Sequence, residues 1–198
     1  MSLITLVEKL LNFITKIRKG LGANPSAEPA VHVQVTKEGA WTGYTNPRIQ
    51  KFAEKIRPAA LAVEGLTGIP WKFAMTQAAH ESRYGESRLT VEANNLFGVT
   101  GDTWAHQGKP VYWIETKEFA ADKTPFIIRR PFRKYANWEE SLRDWASLLE
   151  RRYPKALAAA KAGDFDGFAR ALAAGGYATD PRYAEKLVQL NTEMERNA

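Results

Sequence analysis

The sequence of 198 residues contains no cysteine. This absence excludes disulfide scaffolds, thiolate zinc sites and cysteine nucleophiles together. The three histidines, His32, His80 and His106, lie far apart and form no His-Glu-x-x-His motif, so we expect no histidine metal site. The glycine-rich motifs that hold phosphate groups in nucleotide enzymes are absent as well. We therefore expect an activity that needs no metal and no cofactor.

Long apolar runs are also lacking. No stretch reaches the ~18 consecutive apolar residues of a membrane-spanning helix, and no small-residue cleavage site follows an apolar core near the first residues. The sequence thus predicts neither a spanning helix nor a signal peptide. Its composition is that of a globular protein, with 44% hydrophobic and 25% charged residues. The net charge of +6 favours an anionic partner. Because the basic residues form no known nucleic-acid motif, we expect no nucleic acid but an acidic lipid or cell-wall polymer.

The chain divides into three segments. Residues 1–19 carry apolar side chains at helical spacing and predict an amphipathic helix. Residues 20–45 are interrupted by glycine and proline and predict a linker with one short strand at Val31–Val35. Residues 46–198 form the main domain. Three interpretations of the first segment stay open, since it can bind a membrane surface, dock on a protein partner or pack on its own domain.

The main domain predicts an α+β fold that is mostly α-helical with one small β-hairpin. Asn46-Pro47 and Asn137-Trp138 are helix-start signals, an asparagine cap before the first helical residue. Strand patterns at 111–119 and 126–130 flank a polar turn. Further helices are expected from Ile69-Pro70 to Tyr84-Gly85, over 155–162 and 165–174, and from Asp180-Pro181 onward.

The segment Gln77–Gly85 carries the strongest local chemical signal. Glu81 shares a helix face with Ala74 and Ala78 and lies in the last helical turn. Apolar surroundings and the negative end of the helix dipole both raise a carboxyl pKa. An acid that stays protonated near neutral pH suits a glycosidic oxygen, because a sugar alkoxide leaves poorly without a proton. A solvated glutamate without a catalytic role is the alternative interpretation.

Five strings of residues follow one another along the main domain. They are Gln77-Ala78-Ala79-x-Glu81-Ser82, Asn94-Asn95-Leu96-Phe97-Gly98-Val99, Thr116-x-Glu118-Phe119, Phe132-Arg133-x-Tyr135 and Gly176-Tyr177-Ala178-Thr179-Asp180-Pro181-x-Tyr183-Ala184. Their order resembles that of glycoside hydrolase family 73, the flagellar-rod-type and autolysin-type endo-β-N-acetylglucosaminidases. The resemblance covers about residues 47–192. It implies a lysozyme-like fold with the hairpin beside an active-site groove, and cleavage of the β-1,4 bond after N-acetylglucosamine in peptidoglycan.

The resemblance also implies catalytic residues. Glu81 matches the family's catalytic acid. Glu118 matches the hairpin glutamate, which activates water or stabilises the oxocarbenium-like centre, and a surface position on the hairpin is the alternative for it. Tyr177 matches the aromatic residue that lines the catalytic centre, with core packing as its alternative. His80 departs from the pattern, since the family usually has an aliphatic residue before the catalytic glutamate.

Substrate-binding residues are expected along the groove. Asn95 and Phe97 are predicted to build its wall, where an amide bonds an N-acetyl group and a ring covers a sugar face. Asp180 is expected to cap the last helix rather than to act in catalysis. Large aromatic side chains are candidates for sugar stacking, although such residues more often belong to a core: Trp71, Trp104, Trp113 and Tyr135.

Two other functions compete with a peptidoglycan hydrolase that leaves an N-acetylglucosamine end. A lytic transglycosylase or muramidase of the same fold also needs a catalytic glutamate at the end of a buried helix. A non-catalytic wall-binding adaptor retains the groove and uses the N-terminal helix for docking. In each case we expect action in the periplasm or cell wall. The export route stays open, because a phage lysis enzyme, a virion component and the cargo of a secretion apparatus are all compatible with the expected lack of a signal peptide.

Overall fold

The computed structural model describes residues 43–119 and 125–198, and only the backbone of residues 116–119, 125 and 126. The chain divides into two compact units, residues 1–41 and 42–198, of which the second is described here. The predicted helix over 1–19 and the strand at Val31–Val35 lie outside the described residues.

Eight helices and one two-stranded antiparallel sheet make up the described ranges. The predicted hairpin is confirmed, and its strands pair from Val111 with Arg133 to Phe119 with Pro125. The elements in chain order are α1 (Pro47–Thr67), α2 (Trp71–Ser82), α3 (Arg88–Ala93), α4 (Asp102–His106), β1 (Val111–Phe119), β2 (Pro125–Arg133), α5 (Trp138–Arg152), α6 (Pro154–Lys161), α7 (Phe165–Ala174) and α8 (Tyr183–Asn197). None of the described helices combines the length and the apolar composition that crossing a membrane requires.

Helix α2 runs through the centre of the domain. Its residues 73–79 are all buried, because α1 packs on one side and α8 on another. A helix that is buried all round needs small or apolar side chains, which explains its three alanines. Helix α5 packs against α1 and contributes Trp145, which is fully buried. This packing holds the C-terminal end of α2, and with it Glu81, in a defined place.

Local signals explain where two helices begin. The side chain of Asn46 accepts hydrogen bonds from the backbone N–H groups of Arg48 and Ile49 at the start of α1. The side chain of Asn137 accepts one from the N–H of Glu140 at the start of α5. Both predicted caps are confirmed, since each satisfies a helix donor that has no partner within the helix.

Other boundaries differ from the prediction. Helix α2 ends at Ser82, two residues before Tyr84, because the Ser82 hydroxyl accepts the N–H of Gly85 at 2.7 Å and closes the helix early. Helix α8 begins at Tyr183, since Asp180 accepts the N–H of Arg182 in a turn that precedes the helix.

The linker also ends earlier than predicted. Residues 43–45 belong to the folded unit, because Tyr44 is buried and Thr45 is bonded to the last helix. The Thr45 hydroxyl donates to Asn197 Oδ1 at 2.9 Å.

Candidate active site

Glu81 lies in the last turn of α2, and its carboxyl group is largely buried. Burial raises the pKa of Glu81 from 4.5 to about 6, while a hydrogen bond from Tyr183 opposes the rise. Burial has this effect because a charged carboxylate loses hydration inside the protein. The predicted direction of the pKa shift is confirmed, and the group stays partly protonated near pH 6.

A chain of buried hydrogen bonds orients this carboxyl. Trp145 Nε1 donates to Gln77 Oε1 at 2.9 Å, and Gln77 Nε2 donates to the Tyr183 hydroxyl at 3.1 Å. The Tyr183 hydroxyl then donates to Glu81 Oε1 at 2.7 Å. Since Trp145 can only donate, every donor and acceptor along the chain is set. Glu81 Oε1 therefore accepts, and the acidic proton is carried by Oε2.

The side chain of Tyr183 is held by these hydrogen bonds and by burial. Tyr183 is only 2% exposed, and burial and the nearby Glu81 raise its pKa, so the hydroxyl remains a donor. Sequence reasoning did not single out Gln77, Trp145 or Tyr183 as site residues. The sequence carried a signal for two of them, because Gln77 and Tyr183 both belong to strings on which the family resemblance rests.

A strained turn follows Glu81. Arg83 and Tyr84 have φ values of 55° and 60°, and Gly85 has 78°, so three successive residues are left-handed. A Cβ atom on Gly85 would lie 2.7 Å from the Trp138 ring, so only glycine fits there. Arg48 supports the turn by donating to the Arg83 carbonyl at 3.2 Å and by covering the Tyr84 ring at 4.5 Å. Such conformations cost free energy and occur where function requires a defined geometry.

His80 packs against the residue that holds the acid. Its ring meets the Tyr183 ring edge-on, with the centroids 5.6 Å apart. Burial lowers the pKa of His80, the charge of Lys186 lowers it further, and Asp180 opposes them. The imidazole is therefore uncharged at neutral pH and supports the Tyr183 ring as an apolar side chain would.

Tyr177 lies beside the same tyrosine. Its ring stacks on Tyr183 at 5.7 Å and contacts Tyr153 at 5.3 Å. Burial raises the pKa of Tyr177, and the negative charge of Glu81 adds to the rise. Tyr183 contacts both residues, since its ring stacks on Tyr177 and its hydroxyl donates to Glu81. The role of Tyr177 towards substrate stays a prediction.

Glu118 belongs to β1, where its backbone pairs with that of Phe126. Its side chain is not among the described ones, so its role stays a prediction. The described first half of the strand alternates as expected, with Tyr112 half-buried and Trp113 exposed.

Asn95 and Phe97 differ from the predicted groove wall. Asn95 is 1% exposed, and its Nδ2 donates to the carbonyls of Val99 and Arg133 at 3.0 and 2.9 Å. Its Oδ1 accepts the N–H of Val99, so both amide hydrogens and one of the two lone pairs of the buried oxygen are already used within the protein. The Phe97 ring is 4% exposed and stacks on Trp145 at 5.0 Å. Both side chains support the site from within.

Tyr135 has two different ends. Its hydroxyl donates to Asp144 Oδ2 at 2.6 Å inside the protein. The Arg133 guanidinium donates to both oxygen atoms of the same carboxylate, to Oδ1 at 2.7 Å and to Oδ2 at 2.6 Å. The residue also lines a cleft of about 500 Å³, which we call the Trp104 cleft and which is formed by Trp104, Lys109, Pro110, Lys134, Tyr135, Ala136 and Glu140. Of the predicted binding residues, Trp104 borders this cleft with a half-buried ring, whereas Tyr135 is only 2% exposed and packs edge-on against Trp104 from within.

No group of three histidine or acidic side chains that could hold a metal ion occurs within residues 43–119 and 125–198, as far as their side chains are described. Glu81 itself offers a positioned carboxyl group, which accepts a hydrogen bond from Tyr183.

Comparison with known proteins identifies relatives of this chain. The family model for glucosaminidases, described as mannosyl-glycoprotein endo-beta-N-acetylglucosaminidase, matches residues 57–196. The peptidoglycan hydrolase FlgJ of Vibrio parahaemolyticus is 33% identical over 152 residues, 74% of this chain and 47% of the relative. The exo-glucosaminidase LytG of Bacillus subtilis is 35% identical over 157 residues, 70% of this chain and 52% of the relative. The chain spans about half the length of these curated relatives.

Solved structures resemble the same domain. A C-terminally truncated glycoside hydrolase domain of Salmonella typhimurium FlgJ has a TM-score of 0.61 at 30% identity, covering 76% of this chain and 99% of the other. The catalytic domain of the autolysin Auto from Listeria monocytogenes has a TM-score of 0.61 at 26% identity, covering 85% and 97%. These neighbours confirm the predicted lysozyme-like α+β fold.

Proposed function

Since this chain belongs to the glucosaminidase family, we propose that it hydrolyses the glycan strands of peptidoglycan at the β-1,4 bond after N-acetylglucosamine, with Glu81 as the general acid. The observation that carries the proposal is the buried carboxyl of Glu81, whose pKa is about 6 and whose Oε1 accepts from Tyr183. Relatives named as peptidoglycan hydrolases and as an exo-glucosaminidase support the substrate class.

The proposed reaction begins with proton transfer. Glu81 Oε2–H donates its proton to the glycosidic oxygen while the bond to C1 breaks, and positive charge develops at C1. A water oxygen then bonds to C1, and the proton that this water loses passes to the solvent, from which Glu81 is later reprotonated. We assign to Glu118 the activation of this water or the stabilisation of the charge, and to Tyr177 the support of the sugar beside Glu81. Release of both products and reprotonation of Glu81 complete the cycle.

Product analysis tests this proposal against the related transglycosylase reaction. Purified peptidoglycan is digested with the full chain, and the products are analysed by mass spectrometry. Reducible N-acetylglucosamine ends support the proposal, whereas 1,6-anhydromuramic ends identify a lytic transglycosylase. Digestion in a gel containing peptidoglycan, with Glu81→Gln beside the matched control Glu92→Gln, tests the role of the acid. Undiminished clearing by Glu81→Gln would refute Glu81 as the acid, whereas no clearing by the parent chain would favour a non-catalytic adaptor.

The proposed place of action is the periplasm or cell wall, where the substrate lies. Residues 1–19 remain a predicted amphipathic helix, to which we assign contact with a membrane surface or a protein partner. Sedimentation of the full chain with anionic vesicles, compared with a chain that lacks this segment, tests the membrane alternative.

A further inference from the structure

Gln77 is a fully buried amide on α2, one helical turn before Glu81. Its Oε1 accepts from Trp145 Nε1 at 2.9 Å, and its Nε2 donates to the Tyr183 hydroxyl at 3.1 Å. Because an indole N–H can only donate, the oxygen of the amide has to face Trp145. The amide therefore cannot turn over, and its NH₂ group is held against the hydroxyl of Tyr183.

The hydrogen bond between Tyr183 and a protonated Glu81 has two conceivable directions, because a tyrosine hydroxyl both donates and accepts. In the first, which we call the outward state, Tyr183 donates to Glu81 Oε1 at 2.7 Å and the acidic proton lies on Oε2. In the second, the inward state, the acidic proton lies on Oε1 and is donated to the tyrosine oxygen. An acid in the inward state gives its proton to the protein instead of to a glycosidic oxygen.

The contacts of Gln77 disfavour the inward state. Tyr183 is 2% exposed, and the partners of its hydroxyl within the described residues are Gln77 Nε2 and Glu81 Oε1. In the inward state the proton of Tyr183 itself would point at the NH₂ group of Gln77, which does not accept hydrogen bonds. A buried hydroxyl without an acceptor is costly enough to make this state about five- to a hundredfold rarer.

We propose that Gln77 is a positioning residue of the hydrolysis, which keeps the proton of Glu81 on its outward oxygen by holding the Tyr183 hydroxyl as a donor. Gln77 acts through Tyr183 and not on the substrate, since its side chain is fully buried. Trp145 contributes by fixing the orientation of the amide. This inference rests on the proposed function, because it assumes that Glu81 donates a proton to the glycan strand.

The variant Gln77→Met makes the inward state available. Its thioether donates nothing to Tyr183 and is itself a weak acceptor for the tyrosine proton. The inward state removes part of the protonated enzyme from the reaction, so kcat/KM at low pH should fall about three- to tenfold. The same state stabilises the protonated form of Glu81, so its pKa should rise by the logarithm of that factor, about 0.5–1 unit. At high pH the two effects cancel, and the kcat/KM values of variant and parent should converge.

Two further variants separate positioning from packing. Thr76 is the neighbouring buried residue on α2, and its hydroxyl lies 3.3 Å from Asn191 Oδ1 of α8. Thr76→Val removes this contact between the same two helices and should leave the shape of the pH profile unchanged. In Gln77→Glu, burial keeps the introduced carboxyl protonated at pH 5, so that it donates to Tyr183 and accepts from Trp145 as the amide does. This variant should restore kcat/KM at pH 5 to within about twofold of the parent.

The kcat/KM of the full chain and of the three variants is measured on soluble peptidoglycan fragments between pH 4.5 and pH 8, and thermal unfolding shows which variants are folded. A Gln77→Met profile that coincides with the parent's, or lies below it by one constant factor, would overturn the inference although the proposed function stands. If Gln77→Met does not fold, Gln77→Glu decides, and a loss of more than about tenfold at pH 5 would overturn the inference. A parent that cleaves no fragment would refute the proposed function, and the inference with it.

Discussion

Replacing Glu81 with glutamine should abolish hydrolysis and at the same time stabilise the protein at neutral pH. The amide oxygen can accept the hydrogen bond from Tyr183, as Oε1 does in the parent. The amide cannot donate a proton to a leaving sugar, so the rate should fall by about 10²–10⁴. The gain in stability follows from the burial of the carboxyl, because glutamine never carries a charge there.

The size and sign of the stability effect follow from the pKa of Glu81. The rise from 4.5 to about 6 corresponds to about 2 kcal/mol of penalty on the charged form. Between these pH values the folded protein binds more protons than the unfolded chain, so the free energy of unfolding falls as pH rises. The penalty is absent below pH 4.5 and complete above pH 6. Glu81→Gln should therefore exceed the parent by up to about 2 kcal/mol at pH 7.5 and match it at pH 4.

Thermal unfolding at pH 4 and pH 7.5 measures this difference. For a folded unit of this size, about 2 kcal/mol corresponds to a rise in Tm of about 4–8 °C. Glu92→Gln serves as the control, since Glu92 is an exposed glutamate of α3 and should give the same small change at both pH values. Equal Tm differences at pH 4 and pH 7.5 for Glu81→Gln would refute the reasoning. Hydrolysis above about a tenth of the parent rate would refute the role of the acid.

Four further outcomes are expected. Tyr183→Phe removes the hydrogen bond that lowers the pKa of Glu81, so the alkaline limb of the pH profile of kcat/KM should move up by about one pH unit. An alkaline limb at the parent's pH would contradict the proposed effect of this hydrogen bond. Glu118→Gln should lower kcat, but less than Glu81→Gln does, and full activity would make Glu118 a surface residue. Asn95→Ala should cost about 2–3 kcal/mol in chemical denaturation with KM unchanged, whereas a raised KM would restore its predicted contact with sugar. Deleting residues 1–30 should spare the hydrolysis of soluble fragments, and lost activity would show that the domain needs them.

Much of the fold is readable from the sequence because its signals are local. Asn46 and Asn137 cap helices within a few residues of themselves, and the two paired strands are separated by only five residues of sequence. The end of α2 was predicted less well. Gly85 looks like an ordinary helix terminator, but the Ser82 hydroxyl ends the helix first and Arg48, from another helix, holds the turn. Support of the turn by a distant residue such as Arg48 leaves no recognisable pattern in the sequence around Gly85.

The candidate site, too, was predicted only in part from the sequence. The raised pKa of Glu81 was predicted from its apolar helix face and is confirmed, whereas its catalytic role follows from the family resemblance and stays a prediction. Asn95 and Phe97 stand in a string as specific as that of Glu81, yet their side chains are buried. A sequence string identifies which residues a fold requires, but it does not separate those that contact substrate from those that hold a loop. Burial and saturated hydrogen bonds make that distinction.

The bond between Tyr183 and Glu81 joins groups 102 residues apart. Tyr183 is the first residue of α8, so the acid is synthesised 102 residues before its hydrogen-bond donor. A nascent or truncated polypeptide that stops before residue 183 contains the acid but lacks both its donor and the helix that packs on α2. Because domains fold as units, a working active site forms only after α8 has been synthesised.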